Sequence, residues 1–219
     1  MPSSGSSSSY LITNTAVKFF DYKHAYSHLP PNNENLNEID LHNKLLTLTN
    51  LNLIDEAKKI AEQILENNML NQEAWMVYLV SSKLKNSSEA LVKLAPIIEQ
   101  EEMPLINYIF FNSNETIKST QESSRSIYEI VQSSLTDPNA QGVNYNFALF
   151  YLTISNILDP EFYEGYYYSA QIYQFLKQFE QAELYYNMIP STHNLYFESI
   201  KNIALNKSKM NKFAEGEVY

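Results

Sequence analysis

The stretch DPEFYEGYYYSAQIYQFLKQFEQAELYYNMIP, residues 159–190, decides the fold of this chain. It holds two patterns of apolar and small residues at helical spacing, and polar Lys177-Gln178 separates them. The members of the first pattern are Tyr166, Ala170 and Tyr173, and those of the second are Phe179, Ala182, Tyr186 and Ile189. Recurrence at this spacing predicts two helices, each with one buried face.

The start and the crossing point of this helix pair are also predicted. Asp159-Pro160 indicates the start of the first helix, because an N-cap carboxylate accepts a backbone N–H and proline suits the first helical position. We expect the small residues Ala170 and Ala182 where the two antiparallel helices cross most closely, with tyrosines filling the space on either side.

Residues of the same kinds recur 34 positions later. The matching pairs are Ala170 with Ala204, Phe179 with Phe213, and Ala182 with Gly216. A period of about 34 residues built from two helices is typical of a helical repeat array. The chain has four glycines, eight prolines and no strand–helix alternation, so it is predicted to be all-α. The alternative is an irregular helical bundle whose alanines align by chance.

Further units are predicted along most of the chain. Second helices are expected to open at Tyr22–Ala25, Asp55-Glu56-Ala57, Ser88-Glu89-Ala90 and Ala148. The predicted organisation is a flexible Ser-rich tail at 1–9, N-terminal repeats at 10–111, a polar loop at 112–122, and C-terminal repeats at 123–219 with the last one incomplete.

The order aromatic, small, aromatic on both helices of 159–190 resembles the tetratricopeptide repeat (TPR), in its bacterial type. The resemblance implies a right-handed solenoid of antiparallel helix pairs whose first helices line a concave groove for a peptide or protein segment. Carried over residue by residue, it implies a groove formed by Tyr167, Gln171, Gln174, Lys201, Asn202, Leu205, His42, Asn43 and Leu46. It thus predicts a non-catalytic protein–protein interaction scaffold.

Two alternatives concern the C-terminal end of the array. Phe213, Val218 and Tyr219 would end an uncapped helix, although solenoids normally close with a polar cap. Either the chain is a fragment of a longer array, which is the preferred interpretation, or this end docks on a partner or on a second copy. The alternative function is that of a specificity or regulatory region of a longer enzyme whose catalytic domain lies outside this chain.

Charge and composition narrow the classes of partner. A net charge of −10 and a pI near 4.9 argue against nucleic acid and against an anionic membrane surface. The longest apolar candidate, Leu105 to Phe111, is too short to span a bilayer. The opening Met-Pro-Ser-Ser-Gly lacks the regions of a secretory signal. We therefore expect a cytoplasmic protein, or a periplasmic one if a leader was removed.

No catalytic residue, cofactor or metal site is predicted. The chain has no cysteine, and its four glycines are scattered singly, so it forms no phosphate-binding loop. His24 and His28 have the i, i+4 spacing of two zinc ligands, with Asp21 one turn earlier. A third ligand is not evident nearby, so the favoured interpretation is a pair of surface histidines.

Overall fold

Helices form the regular structure of the protein, as seen in a computed structural model. The described residues are 12–31, 33, 35–136, 142 and 144–214. Within these ranges there is no β-strand, although Phe111 and Ile117 form an isolated antiparallel bridge. The all-α prediction is confirmed for this part of the chain.

Twelve helices lie within the described residues. They are α1 (12–18), α2 (Tyr22–Ser27), α3 (Glu38–Asn50), α4 (Ile54–Asn67), α5 (Gln72–Leu84), α6 (Glu89–Gln100), α7 (Pro104–Phe110), α8 (Thr120–Thr136), α9 (Tyr145–Leu158), α10 (Tyr163–Phe175), α11 (Phe179–Tyr186) and α12 (Tyr196–Ala214). Most helices pack on their neighbour in sequence, and α10 with α11 forms one of the most extensive contacts. Ala170 and Ala182 are both completely buried.

One type of turn joins four of these helix pairs. In each turn a residue after the first helix has a left-handed backbone, namely Phe20, Asn52, Asn86 and Lys177, with φ between 51° and 60°. The N–H of that residue donates to the carbonyl three positions earlier, and the next N–H donates to the carbonyl five positions before it. This is the Schellman arrangement that satisfies the last carbonyls of a helix. Asn52 and Asn86 lie 34 positions apart, so these two turns are separated by the period found in the sequence, whereas Lys177 lies 91 positions after Asn86.

Helix α9 lies at the centre of the fold. None of its residues is exposed, because its sequence YNFALFYLTISNIL is apolar around most of its circumference. It packs on α8 and α10, its neighbours, and also on α3 and α5. The Thr153 hydroxyl donates to Asn50 of α3 (3.1 Å), and Tyr22 of α2 donates to Asn146. These contacts reach beyond the nearest neighbours that an ideal solenoid uses.

Asp159 ends α9, and the prediction that Asp159-Pro160 starts the next helix is wrong. α10 begins at Tyr163. The Asp159 carboxylate lies 2.7 Å from the Arg125 guanidinium of α8 and accepts the backbone N–H of Glu161. This carboxylate therefore ties α8 to the α9–α10 turn and is not available to cap a helix.

The last predicted unit is one uninterrupted helix. We expected a turn between a first and a second helix, but α12 continues from Tyr196 to Ala214 and includes Phe213. The described part of α12 contains no left-handed residue that would stop it. Gly216, the last member of the 34-residue pattern, lies outside the described residues.

The buried face of α12 is also shifted by one position from the predicted register. Ala204 and Ile200 are exposed, whereas Ser199, Ile203 and Asn206 are buried. The preceding helices cover only one side of α12, and Ile203 lies on that side.

The predicted loop and repeat regions coincide only in part with the turns and helices of the structure. Residues 112–119 form turns after the Phe111 bridge, and α8 already begins at Thr120, inside the predicted loop 112–122. Contacts between α3 and α9 join the predicted repeat regions 10–111 and 123–219. The predicted tail 1–9 lies outside the described residues.

Gly165 of α10 lies close to Asn156 of α9. A Cβ atom at this position would lie 2.6 Å from the Asn156 Oδ1 atom. We predict that Gly165→Ala lowers the free energy of unfolding by about 1–3 kcal/mol, although alanine has the higher helix propensity. Urea unfolding followed by circular dichroism measures this. In an Asn156→Ala background the same substitution is expected to be neutral or stabilising, and an equal loss in both backgrounds would contradict the proposed clash.

The left-handed turn at Lys177 gives a second stability prediction. A side chain in this conformation is strained, and glycine is not, so Lys177→Gly is expected to raise the free energy of unfolding by about 1 kcal/mol. Gln178→Gly is the control, because Gln178 has a φ of −92° and gains nothing from glycine. Thermal unfolding of both variants provides the measurement, and a lower melting temperature for Lys177→Gly would refute the prediction.

Candidate partner-binding face

Six of the predicted groove residues lie on two helices that the structure brings together. Tyr167, Gln171 and Gln174 belong to α10, and Lys201, Asn202 and Leu205 belong to α12. We call these six residues the α10–α12 face. Side chains link the two helices, since Asn206 of α12 donates to Gln174 and Asn202 of α12 forms a hydrogen bond with Tyr167.

Tyr167 is held by contacts with both neighbouring helices. Its ring packs edge-to-face on Tyr186 of α11, with the ring centroids 5.6 Å apart. Burial raises the pKa of the Tyr167 phenol, the Glu198 carboxylate raises it further, and a hydrogen bond with Asn202 opposes this. The hydroxyl therefore stays protonated at neutral pH. Tyr167 is half-buried, so part of its surface is available for contact with another molecule.

Gln174 links three helices and serves the fold. Its side-chain oxygen accepts from the Tyr186 hydroxyl of α11 (2.9 Å) and from the Asn206 amide of α12 (3.2 Å). Asn206 is buried, so this bond satisfies a donor that water does not reach. The predicted role of Gln174 in binding a ligand is therefore secondary to a role in holding α10, α11 and α12 together.

The remaining residues of the α10–α12 face are open to solvent. Gln171, Lys201 and Leu205 are exposed, and Leu205 keeps 47% of its surface accessible. Lys201 lies 3.9 Å from Glu198, an exposed pair that contributes little stability. This face therefore presents an aromatic ring, amides, a cation and an apolar side chain over adjacent helices.

The N-terminal part of the predicted groove is covered by the chain itself. His42 is exposed, but Asn43 and Leu46 each keep only 5% of their surface accessible. The Asn43 amide donates to Asn14 of α1 at 3.2 Å. The prediction that Asn43 and Leu46 face a ligand is wrong, because α1, α2 and α9 surround α3. His42 stands alone on the outside of this helix.

His24 of α2 and His28, the residue that caps the C-terminus of this helix, lie close together. The His24 and His28 rings lie 4.8 Å apart between centroids. Asp21 accepts the backbone N–H of His24 (3.1 Å) and so caps the helix. Within the described ranges, no group of three His, Cys, Asp or Glu residues is placed to hold a metal ion. Over the same ranges, no helix has the length and apolar character to cross a membrane.

The structure contains two cavities that the sequence analysis did not predict. One, of about 270 Å³, lies where α3, α9, α10 and α11 meet, and Thr153, Tyr166 and Met188 are among its lining residues. The other, of about 700 Å³, lies between α6 and the 111–117 turn. The first brings together residues far apart in the chain and leaves no local signal. The second has one, since Leu91, Leu94 and Ile98 recur at helical spacing on α6.

Comparisons with known proteins add no relative. No protein-family model matches this chain, and no curated protein matches its sequence.

Gln171 and Gln174 lie on the same helix, but Gln171 is exposed whereas Gln174 holds neighbouring helices. Substitution of each residue therefore distinguishes a binding role from a structural one. We predict that Gln174→Ala lowers the free energy of unfolding by about 1–3 kcal/mol, because buried Asn206 loses its acceptor. Gln171→Ala is the matched control and should change it by less than about 0.5 kcal/mol, since Gln171 is exposed. Chemical denaturation of both variants is the measurement. Equal stability of the two variants would contradict the structural role of Gln174.

Proposed function

We propose that this protein is a non-catalytic interaction scaffold built from a TPR-like, right-handed array of helix pairs, and that it binds a peptide segment of another protein on the α10–α12 face. The repeated Schellman turn at Phe20, Asn52, Asn86 and Lys177 supports an array of related units. The contacts of α9 with α3 and α5 make this array more closed than a solenoid with nearest-neighbour contacts alone.

One observation carries the proposal. On the α10–α12 face, Tyr167 is preorganised by contacts with α11 and α12 while Gln171, Lys201 and Leu205 around it remain exposed. A rigid aromatic side chain with adaptable polar neighbours is a combination that recurs at protein-binding surfaces.

The chemistry of the face indicates the kind of peptide it would bind. Leu205 and the open part of the Tyr167 ring suit an apolar side chain, and the Gln171 amide suits the polar groups of an extended backbone. Lys201 supplies one positive charge for an acidic group on the peptide. A clamp for a C-terminal carboxylate would need matching basic residues from α10, where this face has Tyr167 and Gln171.

The test is a peptide-display selection against the intact chain, followed by dissociation constants for the enriched peptides. We expect Tyr167→Ala/Gln171→Ala/Lys201→Ala to weaken binding by about tenfold or more, because contact residues of this kind dominate binding energy. Circular dichroism establishes that the variant is folded.

A matched control replaces the same three residue types elsewhere on the exposed surface, as Tyr26→Ala/Gln121→Ala/Lys59→Ala. This control is expected to bind the peptides as the parent does. If the enriched peptides bind the parent and the Tyr167→Ala/Gln171→Ala/Lys201→Ala variant equally, the binding site lies away from the α10–α12 face. A selection that enriches no peptide would contradict the proposed function itself.

A further inference from the structure

An apolar groove of about 700 Å³ lies on the side of the molecule formed by α6 and the 111–117 turn. Its apolar lining residues are Leu91, Leu94, Ala95, Ile98, Phe111 and Ile117. The groove exists because α7 packs on α5 and α8, so α6 is left without a helix across this face. We call it the α6 groove.

The rim of the α6 groove is acidic. Glu99 and Glu115 lie among its lining residues, and an adjoining pocket of about 360 Å³ is lined by Glu99, Glu101 and Glu102. The segment 94–117 has these four glutamates and no lysine, arginine or histidine. In the part of the chain that is described, none of the four forms an ion pair. The groove therefore suits an apolar ligand with positive charge.

The outer face of α12 has the opposite character. Phe197, Ile200 and Ala204 follow one another at i, i+3 and i+7, so they lie on one side of the helix. All three are exposed, and Phe197 keeps 80% of its surface accessible. Lys201 and Lys207 flank this stripe, and α12 as a whole has four lysines and one glutamate in a chain of net charge −10. We call it the α12 stripe.

We propose that the α12 stripe of one copy of this protein docks in the α6 groove of a second copy. The apolar side chains of the stripe meet the apolar floor, and the flanking lysines meet the acidic rim, so both the apolar character and the sign of charge are complementary. Because the stripe and the groove are different surfaces, the contact is head-to-tail, and it leaves the groove of one copy and the stripe of the other free for a further partner.

The alternative symmetric contacts are disfavoured by charge. Two α12 stripes facing each other would oppose lysines with lysines, and two α6 grooves would oppose glutamates with glutamates. Like charges brought together at an interface are repulsive. Head-to-tail association is the arrangement in which opposite charges meet.

This association and peptide binding on the α10–α12 face share Lys201 but use different apolar side chains. Asn202 and Leu205 lie on the side of α12 toward Tyr167, whereas Phe197 and Ile200 lie on the outer side. Variants of Phe197 or Ile117 test the association and leave Tyr167 and Gln171 in place, so the two proposals succeed or fail separately.

The first test is sedimentation velocity of the parent chain over a range of concentration and salt. The average mass is expected to rise with concentration and to fall when salt is raised, because exposed charge pairs are screened. A parent that stays monomeric at low salt and the highest accessible concentration overturns the proposal.

The second test uses two variants that each keep one half of the contact. Phe197→Asp/Ile200→Asp removes the stripe, and Glu99→Lys/Ile117→Lys removes the groove. Each variant alone is expected to be monomeric, with self-association weakened by about tenfold or more. Mixed together they should form a 1:1 dimer that grows no further, because only one intact stripe and one intact groove remain.

Two further variants serve as controls for the self-association measurements. Phe175→Asp and Val92→Lys change other exposed apolar residues on α10 and α6 and should associate like the parent. The proposal is overturned if the mixture stays monomeric while the parent associates, or if either double variant associates as the parent does.

The absence of cysteine from the chain allows a direct check of the geometry. Ile200→Cys and Ile117→Cys variants are mixed under mild oxidation. A disulfide-linked product that contains one copy of each variant supports the head-to-tail contact. A product that contains two Ile200→Cys copies, at the same yield with or without the other variant, overturns it.

Discussion

Burial of α9 on every side is the constraint on which the rest of the fold depends. Its sequence leaves no polar face to turn toward water, and each large apolar side chain contributes roughly 1.5–3 kcal/mol when it is buried. Neighbouring helices pack closely on α9 at positions where the residues are small. Ser124 of α8 and Ser155 of α9 exchange hydrogen bonds to each other's backbone at 2.8 and 2.9 Å, and Gly165 brings α10 against Asn156.

The need to cover α9 also decides which surfaces are left for partners. α3 packs on α9, α1 supplies Asn14 to Asn43, and the inner side of α3 is used up in the core. The outer side of α12 does not help to cover α9, since the buried face of α12 is a narrow line through Ile203. The α10–α12 face and the α12 stripe are therefore open for the same reason: no later helix in the described residues covers them.

Charge is distributed unevenly over these open surfaces. The chain is acidic, yet α12 is basic and the region 94–117 is acidic without any cation. Separation of charge by sign along one chain steers association toward contacts between unlike surfaces. The scaffold and the self-association proposals use neighbouring sides of the same helix and share Lys201 between them.

Much of the secondary structure was determined by the sequence alone. The spacing of the residues in 159–190 predicted α10 and α11, because a periodicity of 3.6 residues and a polar break are local properties. The expected openings at Asp55-Glu56-Ala57 and Ser88-Glu89-Ala90 lie at the starts of α4 and α6. The closeness of Tyr167 to Asn202 could also be anticipated, since a helix pair of known length returns the chain to the same side.

Only the tertiary structure decided which faces are covered. It showed that Asp159 binds Arg125, that Asn43 and Leu46 are buried, and that the inner side of α12 follows Ile203 instead of Ala204. It also revealed the α6 groove, which forms because α7 packs elsewhere. Each of these depends on contacts between residues distant in the chain, and a helical pattern specifies an apolar face without specifying what packs on it.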